Sequence, residues 1–121
     1  MSPSSDASPP QALHTVFQPV VDLRSGRITG FEALARFDAS PYRPPDEWFR
    51  EAHAAGVGVA LECRAIELAL DALRQLPRGQ RLAVNASPAA ISSGRVAGVL
   101  VRFDARRVTV EVTEHSDVGD Y

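Results

Sequence analysis

The sequence contains no lysine, since all 13 of its basic residues are arginine. Its 15 acidic residues outnumber them, and the formal net charge is -2. Proteins that bind nucleic-acid polymers through the phosphate backbone present a strongly basic face. The charge balance therefore argues against a nucleic-acid polymer as a partner.

Cysteine and long apolar runs are also scarce. The one cysteine, Cys63, excludes an intrachain disulfide. No apolar run approaches the roughly 18 residues that span a bilayer, so no membrane segment is predicted. The N-terminal stretch MSPSSDASPPQALHT lacks the basic start and apolar centre of a secretory signal. We therefore expect a cytoplasmic location.

The remaining composition is that of a globular domain. Hydrophobic residues make up 45% and charged residues 23% of the 121 positions, which is typical of soluble proteins and sufficient for one core. Residues 1–14 are rich in Ser and Pro and poor in large apolar side chains, so we predict a disordered leader or linker there. Residues 15–121 are predicted to form the domain.

Strand and helix patterns alternate along this domain. VFQPVVDL and ITGFEALARF are separated by a short glycine turn, which predicts an antiparallel hairpin. Two helices follow, the first with Asp46 as N-cap and Gly56 as its end, the second over residues 59–76. RLAVNAS and RRVTVEVTE are further strands, separated by a weak helix that starts at Ser87 and is interrupted at Gly94. This order predicts an α/β fold with parallel pairing.

Three predicted strands carry an oxygen donor: Glu32 in the second strand, Asn85 in the third and Glu111 in the fourth. In an α/β barrel such residues face a common mouth, and two carboxylates with a carboxamide suit Mg²⁺, Mn²⁺ or Ca²⁺. The alternative is that Glu32 pairs with Arg36, which alternation places on the same face, while Glu111 lies exposed. Spacing alone leaves both interpretations open.

The motifs FQPVVDL, GFEALARF, VNASP and EVTE, in this order, resemble those of the EAL domain family, which hydrolyses the second messenger cyclic di-GMP. The resemblance extends from Val16 to Tyr121 and includes the stretch AHAAGVGVALE. It implies a TIM-barrel-like fold with an antiparallel first strand. It also implies metal-dependent hydrolysis of cyclic di-GMP to linear pGpG, with Mg²⁺ or Mn²⁺ as the cofactor.

The resemblance also implies roles for individual residues. It makes Glu32, Asn85 and Glu111 metal ligands, with the two glutamates taking part in catalysis. Glu114, the second acid of EVTE, is implied to steady the neighbouring loop of the catalytic site.

Substrate contacts are implied for three more residues. Gln18 and Arg36 would contact cyclic di-GMP, Arg36 through a bidentate contact with phosphate. Leu34 would shape the guanine pocket.

The family's other site residues follow the EVTE motif: an aspartate pair, a lysine and a later glutamate. A barrel of this class needs about 250 residues, so we expect this chain to be the N-terminal half of the domain and to be inactive by itself. The open edges of half a barrel would then be covered by a second copy or by the C-terminal half. The alternative function is a non-catalytic module that binds cyclic di-GMP or a protein partner.

Overall fold

The computed structural model describes residues 13–113. It begins with the predicted antiparallel hairpin, formed by β1 (Leu13–Val21) and β2 (Ile28–Phe37). Leu13 and His14 are part of the first strand, and Leu13 is buried against Phe37. The leader predicted over residues 1–14 is therefore wrong at its last two positions, because the apolar contact of Leu13 draws the strand start towards the N-terminus. Residues 1–12 lie outside the described residues.

Helices and parallel strands alternate after the hairpin, as predicted. The elements are α1 (Pro45–Ala54), α2 (Gly58–Leu70), a 3₁₀ turn (Asp71–Gln75), β3 (Arg81–Ala86), α3 (Pro88–Ser92), α4 (Arg95–Leu100), a second 3₁₀ turn (Ala105–Arg107) and β4 (Val108–Val112). None of the helices in the described part combines the length and apolarity that crossing a bilayer requires.

Two capping predictions have different outcomes. The Ser87 hydroxyl accepts a hydrogen bond from the Ala90 N–H and begins α3, as predicted. Asp46 is not the N-cap of α1, because Pro44 takes that position with Pro45 as the first helical residue. Proline is favoured at the first helical position, and Asp46 then lies in the first turn, where a negative charge is favourable.

The four strands form one sheet in the order β1-β2-β3-β4. The pairing of β2 with β3 is parallel and short, since it joins Gly30 to Arg81, Phe31 to Leu82 and Glu32 to Ala83. Gly30 is required there, because a Cβ atom at this position would lie 2.2 Å from the Arg81 carbonyl oxygen. The β3–β4 pairing, also parallel, continues to the ends of both strands.

The helices pack on one face of the sheet. Alternation in β2 buries Ala33 and Phe37 on that face, as predicted. Ala33 joins the larger apolar cluster with α2, β3, α3 and α4, whereas Phe37 joins a smaller one with β1, α1 and α2. Side chains at the alternate positions of β2, including Glu32 and Arg36, therefore lie on the opposite face.

Arg107, at the end of the 3₁₀ turn before β4, joins the start of the last strand to the segment that follows α2. Its guanidinium donates hydrogen bonds to four carbonyl oxygens, those of Leu73, Leu76, Pro77 and Gln80. The adjacent Arg106 side chain is 92% exposed and pairs with Asp104. The side chains of these two neighbouring arginines thus have different roles: that of Arg107 joins separate elements, whereas that of Arg106 contacts the nearby Asp104.

Candidate metal centre

The register of the sheet brings the three predicted ligands together. Asn85 is directly opposite Glu111 in the parallel β3–β4 pair. Glu32 is opposite Ala83, two residues before Asn85 on the same strand. Paired positions have side chains on the same face, and residues two apart on one strand share that face. All three donors therefore lie on the face of the sheet that the helices leave uncovered.

Asn85 bridges the point where β2 and β3 separate. The last paired residues of these strands are Glu32 and Ala83, and the side chain of Asn85 fills the gap beyond them. Its Nδ2 atom donates to Glu32 Oε2 at 3.2 Å and to the Ala33 carbonyl oxygen at 3.5 Å. The carboxamide therefore joins the two strands where ladder hydrogen bonds end, with Oδ1 available as a further acceptor.

The carboxyl groups of Glu111 and Glu32 are also neighbours. Desolvation raises the pKa of the Glu111 carboxyl above its ordinary value, and repulsion from Glu32 together with a hydrogen bond to it raises this pKa further. Two acids that approach each other so closely repel once both are ionised. Their proximity is the arrangement that a bound divalent cation would stabilise.

This donor set fits a hard divalent cation. Two carboxylates and a carboxamide provide oxygen atoms, which Mg²⁺, Mn²⁺ and Ca²⁺ prefer as ligands. No group of three His, Cys, Asp or Glu side chains is placed to hold a metal among residues 13–113, so the set depends on the amide of Asn85. The alternative predicted a Glu32–Arg36 pair and an exposed Glu111. The pair is not what the structure shows, since Arg36 Nη1 donates to the Ala35 carbonyl oxygen at 2.9 Å. Glu111 is exposed, as that alternative predicted.

The predicted substrate contacts lie around these donors. Gln18 is exposed on β1 and directly opposite Glu32 in the hairpin. Leu34 and Arg36 are half-buried and line a pocket of about 370 Å³, to which Glu32 and Asn85 also contribute. Gln18 therefore adjoins the donor group, while Leu34 and Arg36 border a cavity beside it. Glu114 lies outside the described residues, and its implied role stays a prediction.

Sequence reasoning missed a buried acid in the same pocket. Glu62, on α2, is 4% exposed, and its carboxylate contacts His53 and the Ser87 N–H. The sequence did contain a feature that could have identified it. Glu62 precedes Ile66 by one helical turn, so it lies on the apolar stripe of α2. An acid on such a stripe needs partners when it is buried.

The fold and the site together define a mixed α/β protein of the TIM-barrel-like kind, with acidic and amide oxygens on the sheet face opposite the helices. Residues 5–119 match the family model described as EAL domain. The chain belongs to the EAL domain family, whose members include cyclic di-GMP phosphodiesterases and binders.

Solved structures agree with this assignment. BlrP1 of Klebsiella pneumoniae, in a complex with calcium and cyclic di-GMP, is 27% identical with a TM-score of 0.66, and the match covers 98% of this chain and 31% of that one. The PaMucR phosphodiesterase, in a complex with cyclic di-GMP, is 25% identical with a TM-score of 0.66, covering 85% and 47%.

A more distant structure shows the fold alone. YkuI of Bacillus subtilis, with an EAL domain, is 18% identical with a TM-score of 0.71, and the match covers 96% of this chain and 31% of that one. The chain thus spans about a third of the length of BlrP1 and of YkuI. No curated protein sequence matches the chain.

Proposed function

We propose that this chain supplies the first part of a metal-dependent phosphodiesterase site for cyclic di-GMP. The observation that carries the proposal is the convergence of Glu32, Asn85 and Glu111 from three strands, with Asn85 Nδ2 at 3.2 Å from Glu32 Oε2 and the Glu111 carboxyl beside that of Glu32. Membership in the EAL domain family supports the substrate.

In this proposal the three donors hold Mg²⁺ or Mn²⁺. The cation, when bound, supplies charge that polarises a phosphodiester and lowers the pKa of an attacking water. Arg36 binds phosphate by its planar fork of donors, for which its guanidinium must leave the Ala35 carbonyl. Gln18 contacts the nucleotide from the adjacent strand, and Leu34 forms part of the guanine wall.

A second candidate function is binding of cyclic di-GMP without hydrolysis. One observation on a related protein favours it: BlrP1, 27% identical to this chain, also has a structure with cyclic di-GMP and no metal ions. Nucleotide binding in that protein is therefore separable from metal loading. In either function, a second copy of the chain or the C-terminal half of a barrel would cover the open sheet edges.

The test is titration calorimetry of the 121-residue chain with Mn²⁺ and then with cyclic di-GMP, followed by chromatography for pGpG. Glu32→Gln should weaken Mn²⁺ binding at least about tenfold, because it removes one of the charged ligands. Glu51→Gln, which changes an exposed carboxylate on α1, is the matched control. Equal Mn²⁺ affinity in the wild type and Glu32→Gln would overturn the metal site.

The same experiment separates the two functions. Nucleotide binding without pGpG favours the binding module, whereas pGpG in excess of a Glu32→Ala control establishes hydrolysis. That second result would also show that the chain is active by itself, contrary to the expectation from its motifs.

A further inference from the structure

The carboxylate of Glu62 is buried in the middle of the helical layer and uses both of its oxygens. Oε1 accepts the Ser87 N–H at 2.8 Å, and Oε2 lies 2.5 Å from His53 Nε2. An acid that is 4% exposed is costly to bury unless such partners are present. Glu62 therefore holds α1, α2 and the turn after β3 at one point.

Ser87 is fixed through each of its polar groups. Its N–H donates to Glu62, its hydroxyl accepts from the Ala90 N–H at 3.2 Å, and its carbonyl accepts from the Ile91 N–H at 3.0 Å. Ser87 itself is 4% exposed. Of these three hydrogen bonds, only the one to Glu62 reaches outside the turn and its helix.

The turn that Glu62 holds lies two residues after Asn85. Between them, the Ala86 carbonyl accepts the Thr113 N–H at 2.9 Å. The end of β3 is thus attached to β4 on one side and to α2 on the other. Since Asn85 reaches across a gap in the sheet to Glu32, its placement depends on where this strand end is held.

The position of Glu62 is itself restricted by the corner between α1 and α2. A Cβ atom on Gly58 would lie 2.2 Å from Cγ of His53. The imidazole therefore packs directly over the Gly58 backbone. In this position its Nε2 atom contacts Glu62 Oε2. The glycine and the histidine leave the carboxylate little freedom to move away from Ser87.

We infer that Glu62 is a positioning residue for the candidate metal centre, acting through the Ser87 N–H to hold the carboxamide of Asn85 beside Glu32. The inference deepens the proposed function and rests on it for the identity of the bound cation. Groups that are hydrogen-bonded directly to metal ligands typically change metal affinity 10- to 100-fold when they are substituted. Glu62 acts one residue further away, through Ser87, so we expect its effect to lie at the lower end of that range.

The sequence offers a clean probe, because Asn85 is its one asparagine. Selective ¹⁵N labelling of asparagine side chains gives a single carboxamide pair in the NMR spectrum of the metal-free chain. Glu62→Met replaces the carboxylate with an apolar side chain of similar size and so removes the acceptor. It should shift both Asn85 amide proton resonances, whereas Glu62→Gln, which retains an oxygen for Ser87, should preserve them.

A second variant removes the same hydrogen bond from the other side. Ser87→Pro lacks the N–H, and the φ of -77° at this position is compatible with proline. It also lacks the hydroxyl that accepts the Ala90 N–H. Ser87→Ala is therefore the control, because it loses the same hydroxyl and keeps the N–H that donates to Glu62. Unchanged Asn85 resonances in folded Glu62→Met or Ser87→Pro, or the same shift in Ser87→Ala, would overturn the inference.

Mn²⁺ titration of the same proteins is the second measurement. Glu62→Met should weaken Mn²⁺ binding about tenfold, with recovery in Glu62→Gln. Wild-type affinity in folded Glu62→Met would contradict the inference while leaving the metal site standing. Absence of Mn²⁺ binding by the wild type would instead refute the proposed function, and the Asn85 resonances would still decide the role of Glu62.

Discussion

Asn85 and Glu32 are 53 positions apart in the chain, yet the amide of one donates to the carboxylate of the other at 3.2 Å. The contact occurs at the last paired residue between β2 and β3, where the strands separate. Asn85 thus links strands β2 and β3 and also lies beside the acidic pair Glu32 and Glu111. Substitutions here should affect the stability of the metal-free chain as well as its metal binding.

Asn85→Asp should destabilise the metal-free chain by about 1–3 kcal/mol, because it replaces a hydrogen-bond donor with a charge facing Glu32 and removes the hydrogen bond to the Ala33 carbonyl. Urea unfolding with a chelator, followed by the fluorescence of the single tryptophan, measures this loss. Mn²⁺ should then raise the midpoint more in the variant than in the wild type. Asn85→Ala, which adds no charge, should show no such extra gain.

Glu111→Gln should change the pH dependence of stability. Desolvation, then repulsion from and a hydrogen bond to Glu32, raise the pKa of the Glu111 carboxyl above its ordinary 4.5. The folded state therefore binds this proton more tightly than the unfolded state, and the stabilising contribution is full below 4.5 and lost as pH rises through the folded-state pKa.

The amide variant cannot ionise, so its stability relative to the wild type should increase with pH across that window. Urea midpoints of both metal-free proteins, measured from about pH 4 to about pH 7, give the difference. Parallel pH profiles for the two proteins would show that the acidic pair does not influence folding.

Gly30→Ala should destabilise the fold by more than about 2 kcal/mol. The added Cβ would lie 2.2 Å from the backbone oxygen of Arg81, so the short β2–β3 pairing would have to open. Gly98→Ala is the matched control, since nothing lies within 4 Å of a Cβ there and alanine favours a helix by about 0.5–1 kcal/mol. Urea unfolding compares the two, and equal losses would exclude the close approach as the cause.

Arg107→Lys should lower the free energy of unfolding by about 1.5–3 kcal/mol, because an ammonium group cannot reproduce the donors that reach four carbonyl oxygens in the segment after α2. Arg106→Lys, at an exposed position, should change stability by no more than about 0.5 kcal/mol. Thermal unfolding by circular dichroism distinguishes them. Similar melting temperatures for both variants would show that the contacts of Arg107 add no stability.

Local patterns in the sequence determined the elements and their faces. The alternation in ITGFEALARF placed Glu32 and Arg36 opposite the buried Phe37 because successive strand residues point to opposite sides. The short glycine turn predicted the hairpin, and Ser87 predicted the start of α3. These features depend only on neighbouring residues, which is why periodicity and turn chemistry are sufficient to predict them.

Local patterns were less reliable at element boundaries. The start of α1 depends on which of several competing residues takes the cap, and the two prolines moved it ahead of Asp46. The start of β1 depends on the contact of Leu13 with Phe37 across the hairpin.

Only the tertiary structure decided which polar groups meet. The approach of Glu32, Asn85 and Glu111 follows from strand order and register, and the partners of Glu62 follow from the packing of α1, α2 and the turn after β3. The sequence motifs identified the three donors as candidate ligands, but they did not give the distances between the donor atoms. The physical reason is that these contacts join residues far apart in the chain, and their geometry is fixed only when the sheet and its helical layer pack together.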